Sequence, residues 1–351
     1  KIEPHNTLII FDEIQACPSA LTSLKYFQES NKQYDIIAAG SLLGVSLHMN
    51  QSFPVGKVEF MELFPFSFNE FLLAMGQEDL LGIINRKEKG MIEVFKDKYV
   101  VLLKQYYFIG GMPEAVNSFR EDKDFLKVRE IQVSILYSYE QDFSKHAPYQ
   151  LVPKLRLIWQ SIVSQLGKEN KKFTYSSLKK GARSKEYESA LSWLSDAGLV
   201  YKIIRINKPG VPLKSYEDSN DFKLYVHDVG LLCAMAEIAP TVILGEDDLF
   251  KEFKGSLTEQ FVLQQLKSKG IQPNYWTTEG SQAEVDFIIQ KGSEVIPIEV
   301  KAAENLKSKS LKIYYEKFHP NFCYRFSMSN YREQDWMINI PLYAIELASY
   351  S

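Results

Sequence analysis

The sequence predicts a mixed α/β protein built from several domains. Three observations carry this. The chain has 351 residues, and about one domain per 150 residues gives two to three. Near its start a strand, a helix and a second strand follow within about 30 residues, which describes a βαβ unit. Over residues 245–351 the order is helix, three strands, helix, strand, a second α/β unit. Composition agrees with a globular chain: 45% hydrophobic and 24% charged, which excludes collagen, coiled coil and wholesale disorder. A net charge of −3 excludes a globally basic coat, so nucleic-acid contact requires a local patch. Cys17, Cys233 and Cys323 lie far apart with no CxxC pair. That excludes a disulfide scaffold and a zinc ribbon and suits a reducing compartment. The longest apolar runs fall short of the roughly 18 residues of a transmembrane helix, and no apolar signal region opens the chain. The expectation is a cytoplasmic protein without membrane contact.

Taken in order, residues 1–80 form the first α/β core. Leu8-Ile9-Ile10-Phe11 is a continuous apolar run, as in a strand buried on both faces. Ala20, Leu21, Leu24 and Phe27 share one side of a helix over 19–30, and Ile36-Ile37-Ala38-Ala39 is a second buried strand. Residues 81–165 read as a helical, lid-like region interrupted at Gly110-Gly111-Met112-Pro113. Over 166–235, Tyr187, Ala190, Leu191, Leu194 and Ala197 keep helical spacing and end at Gly198, a good residue just past a helix C-terminus. A strand at 199–206, a turn at Asn207-Lys208-Pro209-Gly210 and a strand near 222–226 follow. Helices followed by two such strands describe a winged helix. Residues 245–351 offer a helix over 257–268 and strands near 275–277, 284–290 and 295–301. A helix carrying Leu311, Tyr314, Tyr315 and Phe318 on one face and a strand at 322–327 complete the unit.

Two carboxylates, Asp12 and Glu13, stand directly after the first strand. Ligands of open α/β sheets bind beyond the carboxyl ends of the strands. In nucleotide hydrolases an acid placed there holds Mg²⁺, commonly through water. Asp12 would hold the ion and Glu13 would orient or activate the attacking water. Ser41, at the end of the neighbouring strand, could sense the terminal phosphate. Asp12 could otherwise merely cap the next helix. No G-x-x-x-x-G-K-[ST] occurs in the 351 residues, and Gly56-Lys57 and Gly167-Lys168 lack its other members. A phosphate cradle is therefore expected upstream of Lys1, or the site takes no nucleotide.

Resemblance bears on that choice. The segment 8–15 looks like a Walker B strand. Ala39-Gly40-Ser41, Val55-Gly56-Lys57, Pro65-Phe66-Ser67-Phe68-Asn69-Glu70-Phe71 and Gly110-Gly111-Met112-Pro113-Glu114 follow it. This series resembles a large bacterial and archaeal family of AAA-type ATPases that end in a domain of unknown function with a nuclease-like core. The resemblance spans essentially the whole chain. It implies a truncated P-loop ATPase domain, ATP and Mg²⁺ as cofactors of the full-length protein, and a Walker A segment upstream; AAA modules often act as rings but this family need not, so a homo-oligomer or a protein partner stays an open expectation. The family usually has Gly-Arg where Gly56-Lys57 stands. Lys57, as a phosphate-sensing cation, keeps the charge but loses the bidentate fork.

A second set of acids lies on a predicted hairpin. If the turn over Lys291-Gly292-Ser293-Glu294 centres on Gly292-Ser293, Asp286 sits opposite Glu299 and Glu284 opposite Lys301. All four then share one face, while Val285, Phe287, Ile289, Ile296, Ile298 and Val300 share the other. Like charges directly opposite are destabilising and invite a cation, and Mg²⁺ or Mn²⁺ would suit. Lys301 could position a water or stabilise developing charge. This is the D…E-x-K constellation of PD-(D/E)xK nucleases, and the element order of the region agrees with their restriction-endonuclease-like core. Glu259 on the preceding helix could add a metal ligand, or close a capping box with Ser256. The face could also be an ordinary solvated salt-bridge network, and nuclease folds also serve as binding modules.

Residues 168–185 hold Lys168, Lys171, Lys172, Lys179, Lys180, Arg183 and Lys185 against Glu169 alone. Lys171, Lys172, Lys179, Lys180, Arg183 and Lys185 would give salt-dependent, sequence-neutral DNA binding, or form a solvated helix face. The five histidines are scattered and form no ligand pattern. His227-Asp228 reads as structural. The leading reading is an AAA-type ATPase coupled to DNA handling; the rival is a non-catalytic DNA- or protein-binding regulator with a degenerate nuclease fold.

Overall fold

The computed structural model describes residues 3–41, 43–46, 56–245, 251–278, 280, 282–304 and 307–349; Val55 of the Val55-Gly56-Lys57 segment lies outside them. Its elements run β1 (Leu8–Phe11), α1 (Pro18–Ser30), β2 (Asp35–Ala38), α2 (Leu43–Ser46), α3 (Phe68–Ala74), α4 (Glu78–Asn85), α5 (Lys89–Val94), α6 (Lys96–Ile109), α7 (Pro113–Asp122), α8 (Phe125–His146) and α9 (Val152–Leu166). There follow α10 (Ser184–Asp196), β3 (Val200–Ile206), β4 (Glu217–Val226), α11 (Val229–Met235), α12 (Pro240–Leu244), α13 (Lys251–Lys267), β5 (Asn274–Thr277), β6 (Glu284–Lys291), β7 (Glu294–Val300), α14 (Lys309–Phe318), β8 (Cys323–Ser327), β9 (Arg332–Glu333) and β10 (Met337–Pro341). The chain divides into two compact units, Lys1–Leu63 with Lys185–Val200, and Phe64–Ser184 with Tyr201–Ser351.

In the first unit β1 and β2 pair in parallel, Leu8 beside Asp35 through Phe11 beside Ala38. Pro18 starts α1, where its missing N–H costs no hydrogen bond. Leu21 and Leu24 then bury one helix face against Ile14, with Phe11, Ile36 and Ala38 packed alongside. The βαβ unit is present, but its strands are covered on one face only. Leu8, Ile10 and Ile37 remain 52, 63 and 54% exposed, which corrects the reading of both strands as buried on both sides.

The second unit combines a helical region with an eight-stranded sheet of order β4-β3-β5-β6-β7-β8-β10-β9. Strands β3 and β4, expected as a free wing, are the end of this sheet, and β3 runs parallel to β5 from Arg205 beside Tyr275. Helix α10, expected to belong with that wing, groups with the first unit. The strands of the expected winged helix over 166–235 are thus continuous with the sheet of residues 245–351. The physical reason lies in β4, where Asp221 to Val226 are all buried, too dry for a detached ribbon. One apolar cluster joins Val285 and Ile288 of β6 to Leu311 and Tyr314 of α14. Helix α13 is buried on every side from Ser256 to Lys267, so each of its polar side chains requires an internal partner.

Those partners explain two of the sequence signatures. The Phe66 N–H donates to the Gly111 carbonyl at 2.7 Å, and the Tyr106 hydroxyl donates to the Phe66 carbonyl. Gln265 of α13 accepts from the Phe68 N–H at 2.8 Å, and Gln264 accepts from the Val229 N–H at 2.9 Å. Buried Asp228 caps α11 through the Leu231 N–H at 2.9 Å and accepts from the Gly111 N–H at 2.6 Å. Gly110 lies at φ +75°, and a Cβ on Gly111 would fall 2.2 Å from the Phe66 carbonyl oxygen. Ser67 and Glu70 form a capping box on α3. The Pro-Phe-Ser-Phe and Gly-Gly-x-Pro-Glu segments thus tie α3, α6, α7, α11 and α13 together, and Asp228 has the structural role read for it.

Candidate functional site

The first candidate site lies at the carboxyl end of β1. The parallel register carries residues 12–14 alongside 39–41, held by the Ala39 N–H donating to Phe11 at 2.7 Å and the Ile14 N–H donating to Ala39 at 3.0 Å. Asp12 Oδ1 accepts from the Glu13 N–H at 3.0 Å. Glu13 takes left-handed backbone angles, φ 47° and ψ 45°, which turn its side chain back toward β2. Its Oε2 accepts from the Ser41 hydroxyl at 3.2 Å and also from the Gln15 amide. Asp12, Glu13 and Ser41 are all exposed. Lys57 is not brought into this group and pairs with Glu29 at 3.4 Å. The donor set fits a hydrated Mg²⁺ at Asp12 with a water-orienting carboxylate beside it, since Mg²⁺ keeps most of its waters. The residues that would cradle phosphates are absent from the sequence.

The second candidate site lies on the hairpin of β6 and β7. The predicted register holds from Phe287 beside Ile298 to Lys291 beside Glu294, around Gly292. The apolar set is buried as expected: Val285, Phe287, Ile289, Ile296 and Ile298 at 0 or 1% exposure and Val300 at 7%. The polar set departs from expectation. An extra residue in β6 bulges the β5 ladder, since Trp276 faces Val285 while Asn274 faces Ile288. The β7 ladder stops at Phe287, and Asp286 Oδ2 accepts from the Val300 N–H at 2.7 Å. Glu299 is 2% exposed rather than open to solvent, because β8 packs beside it with Arg325 in register. It pairs with Lys301 at 2.5 Å, and its Oε2 is buried without a hydrogen-bond partner.

Glu259 is a fully engaged ion. Its carboxylate is bonded by Lys171, accepts from the Tyr225 hydroxyl at 2.9 Å and lies 3.8 Å from the Lys223 ammonium. Burial would raise this carboxyl, but Lys171 and Lys223 outweigh it and hold it at about 2. Helix α13 begins at Lys251, so Ser256 lies within it and donates to the Leu166 carbonyl at 2.6 Å; no capping box forms. Lys223 is fully buried and binds Glu284 at 2.5 Å. Asp286 is pushed up to about 7, by burial first and then by the neighbouring Glu259.

Among the described residues no group of three or more His, Cys, Asp or Glu could hold a metal ion. Lysines lie against Glu259 and Glu299 and the Val300 N–H against Asp286, while Glu299 Oε2 keeps no hydrogen-bond partner. Asp12 is a separate case, since a hydrated ion needs only one carboxylate.

The basic stretch also divides. Lys171, largely withdrawn from solvent, pairs with Glu259, and Lys172, with its side chain 40% exposed, pairs with Asp221 at 2.6 Å. The neighbouring Phe173 is buried and stacked on Phe222 at 5.2 Å. Lys179, Lys180, Arg183 and Lys185 are exposed. Sequence reasoning missed Lys223 and Tyr225 as site residues. The signal was present in β4, where Asp221, Lys223 and Tyr225 alternate with Phe222, Leu224 and Val226.

Comparison with family models gives three matches. Residues 1–72 match an AAA domain, 101–242 a domain of unknown function (DUF8612), and 254–345 a second domain of unknown function (DUF4143). No curated protein and no solved structure matches the chain. The N-terminal segment is thus AAA-like, the class of domain that uses a nucleotide with Mg²⁺, and the chain as a whole is mixed α/β. Among the described residues no helix is long and apolar enough to cross a membrane.

Proposed function

We propose that the protein is an AAA-type ATPase whose nucleotide cycle is coupled to a C-terminal module that handles DNA without cutting it. The observation that carries the ATPase reading is the 3.2 Å bond from Ser41 to Glu13, two exposed groups 28 residues apart brought together by the parallel register. Bound Mg²⁺ would neutralise charge on the phosphates. Asp12 would hold that ion, Glu13 would orient a water through its carboxylate, and Ser41 would fix Glu13 in place. In the full-length protein carrying a phosphate-binding loop, Glu13→Gln keeps the shape of this group and removes its basicity. ATP binding should persist while turnover falls by about 10²-fold or more. Turnover at the wild-type rate would sink the reading.

For the C-terminal module a specific observation favours binding over cleavage. The acid that α13 presents, Glu259, is paired with Lys171 and Lys223 and bonded by Tyr225. Two lysines and a tyrosine hydroxyl therefore compete with a metal for this carboxylate.

A further inference from the structure

We propose that Lys223 is a built-in cation standing where a nuclease-type site would take its divalent metal, and that it closes the C-terminal site to metal. The inference rests on the non-cleaving reading above and assigns its cause to one residue.

Lys223 is 0% exposed, so its ammonium is wholly withdrawn from water and must be compensated. Its compensation is acidic on several sides. Nζ lies 2.5 Å from Glu284 of β6 and 3.8 Å from Glu259 Oε2 of α13. The Asp286 carboxylate adds to the field that keeps it charged. The Tyr275 ring centroid lies 5.0 Å away and presents an electron-rich face. Three acids from two different elements therefore converge on one ammonium. That is the charge pattern of a cation site, with the cation supplied by β4.

The charge balance points the same way. Glu259, Glu284, Asp286 and Glu299 face Lys171, Lys223 and Lys301, four acids against three bases. The set carries a net charge of only −1, and a divalent ion entering it with all three lysines in place would carry it to +1. The ion would have to expel an ammonium that is buried and hydrogen-bonded, and removing one partner of a buried ion pair is strongly unfavourable. A nuclease site needs the reverse, an unneutralised acid pair that water and metal share.

The test uses Mn²⁺, read by the loss of free-ion electron paramagnetic resonance signal, on the chain as it stands. Wild type should retain at about 1 mM no more Mn²⁺ than its Asp286→Asn variant, any ion held at Asp12 being common to both. Lys223→Met keeps the length of the side chain and removes its charge, leaving Glu284 and Glu259 with one counter-ion fewer. It should gain Mn²⁺ affinity by about tenfold or more, since affinity follows ligand charge. Lys223→Arg should behave like wild type. Adding Asp286→Asn to Lys223→Met should abolish the gain. A folded Lys223→Met protein with no gain overturns the assignment of Lys223. Mn²⁺ retained by wild type and lost in Asp286→Asn also overturns it, and decides the matter should Lys223→Met fail to fold. Cleavage of DNA by wild type with Mg²⁺ would instead sink the non-cleaving reading itself, so the two failures are told apart.

Discussion

Asp286 and Glu259 belong to one polar cluster, yet their environments push them in opposite directions. Asp286 rises from 3.8 to about 7, by burial and then by Glu259. Its native state therefore binds a proton that the unfolded chain has released. Stability falls as pH rises from about 4 to 7 on this account, and above pH 7 the whole cost is present. Asp286→Asn keeps an oxygen for the Val300 N–H and removes the charge. It should raise the melting temperature at pH 8 by a few degrees, on the order of 1–2 kcal/mol, and leave it unchanged near pH 3. Glu259 falls from 4.5 to about 2 because Lys171 and Lys223 outweigh burial, so its contribution is present above pH 4.5 and is lost as pH falls through about 2. Glu259→Gln should accordingly destabilise at pH 8. Melting curves of both variants at the two pH values check the pair, and equal shifts at pH 8 would contradict the assignment. The sequence showed Asp286, Glu299 and Lys301 together on a hairpin, but not Lys171 and Lys223, which also meet the cluster. Lys171 and Glu259 are 88 residues apart, and Lys172 and Asp221 are 49 apart. A run of lysines read alone looks solvated because its partners arrive only with the tertiary fold.

At the scale of elements, the β6–β7 register was legible because alternation and a glycine turn leave one pairing that buries the apolar set. The helical signatures were legible as marks but not as a mechanism. Their work depends on backbone approaching backbone, which no local pattern displays. Gly111 shows it: a Cβ there would sit 2.2 Å from Phe66 O and 2.6 Å from Phe66 N, both main-chain atoms that cannot swing away. Gly111→Ala should therefore separate α3 from the start of α7 and cost about 2 kcal/mol or more. Gly90, within α5, has nothing within 4 Å of its would-be Cβ and a helical backbone. Gly90→Ala should be neutral or stabilising by up to about 1 kcal/mol. Denaturant unfolding of the two variants gives the comparison. Similar midpoints would mean that the segment 110–114 is not a structural tie.

The whole molecule sets the conditions for any DNA contact. Net charge is −3, so long-range attraction is weak and binding must come from a local group of cations. The fold pairs Lys171 with Glu259 and Lys172 with Asp221, and leaves Lys179, Lys180 and Arg183 exposed on one short segment of the second unit. The sheet that joins β4 and β3 to β5 makes this segment part of the same unit as the hairpin. The sequence pattern places β3 and β4 in a unit over 166–235, apart from 245–351, because a strand pair joined by a turn gives no sign of a further neighbour. Three cations that each neutralise one phosphate predict a slope of log K against log salt of about −2 to −3. Changing Lys179, Lys180 and Arg183 together to Glu should abolish retention of double-stranded DNA at low salt. Changing Lys171 and Lys172 should instead act through stability, because it strips buried Glu259 and Asp221 of counter-ions. Fluorescence anisotropy over a salt series, paired with thermal unfolding, separates the two groups. Wild-type protein that binds no DNA even at low salt would mean that this surface meets a protein partner instead.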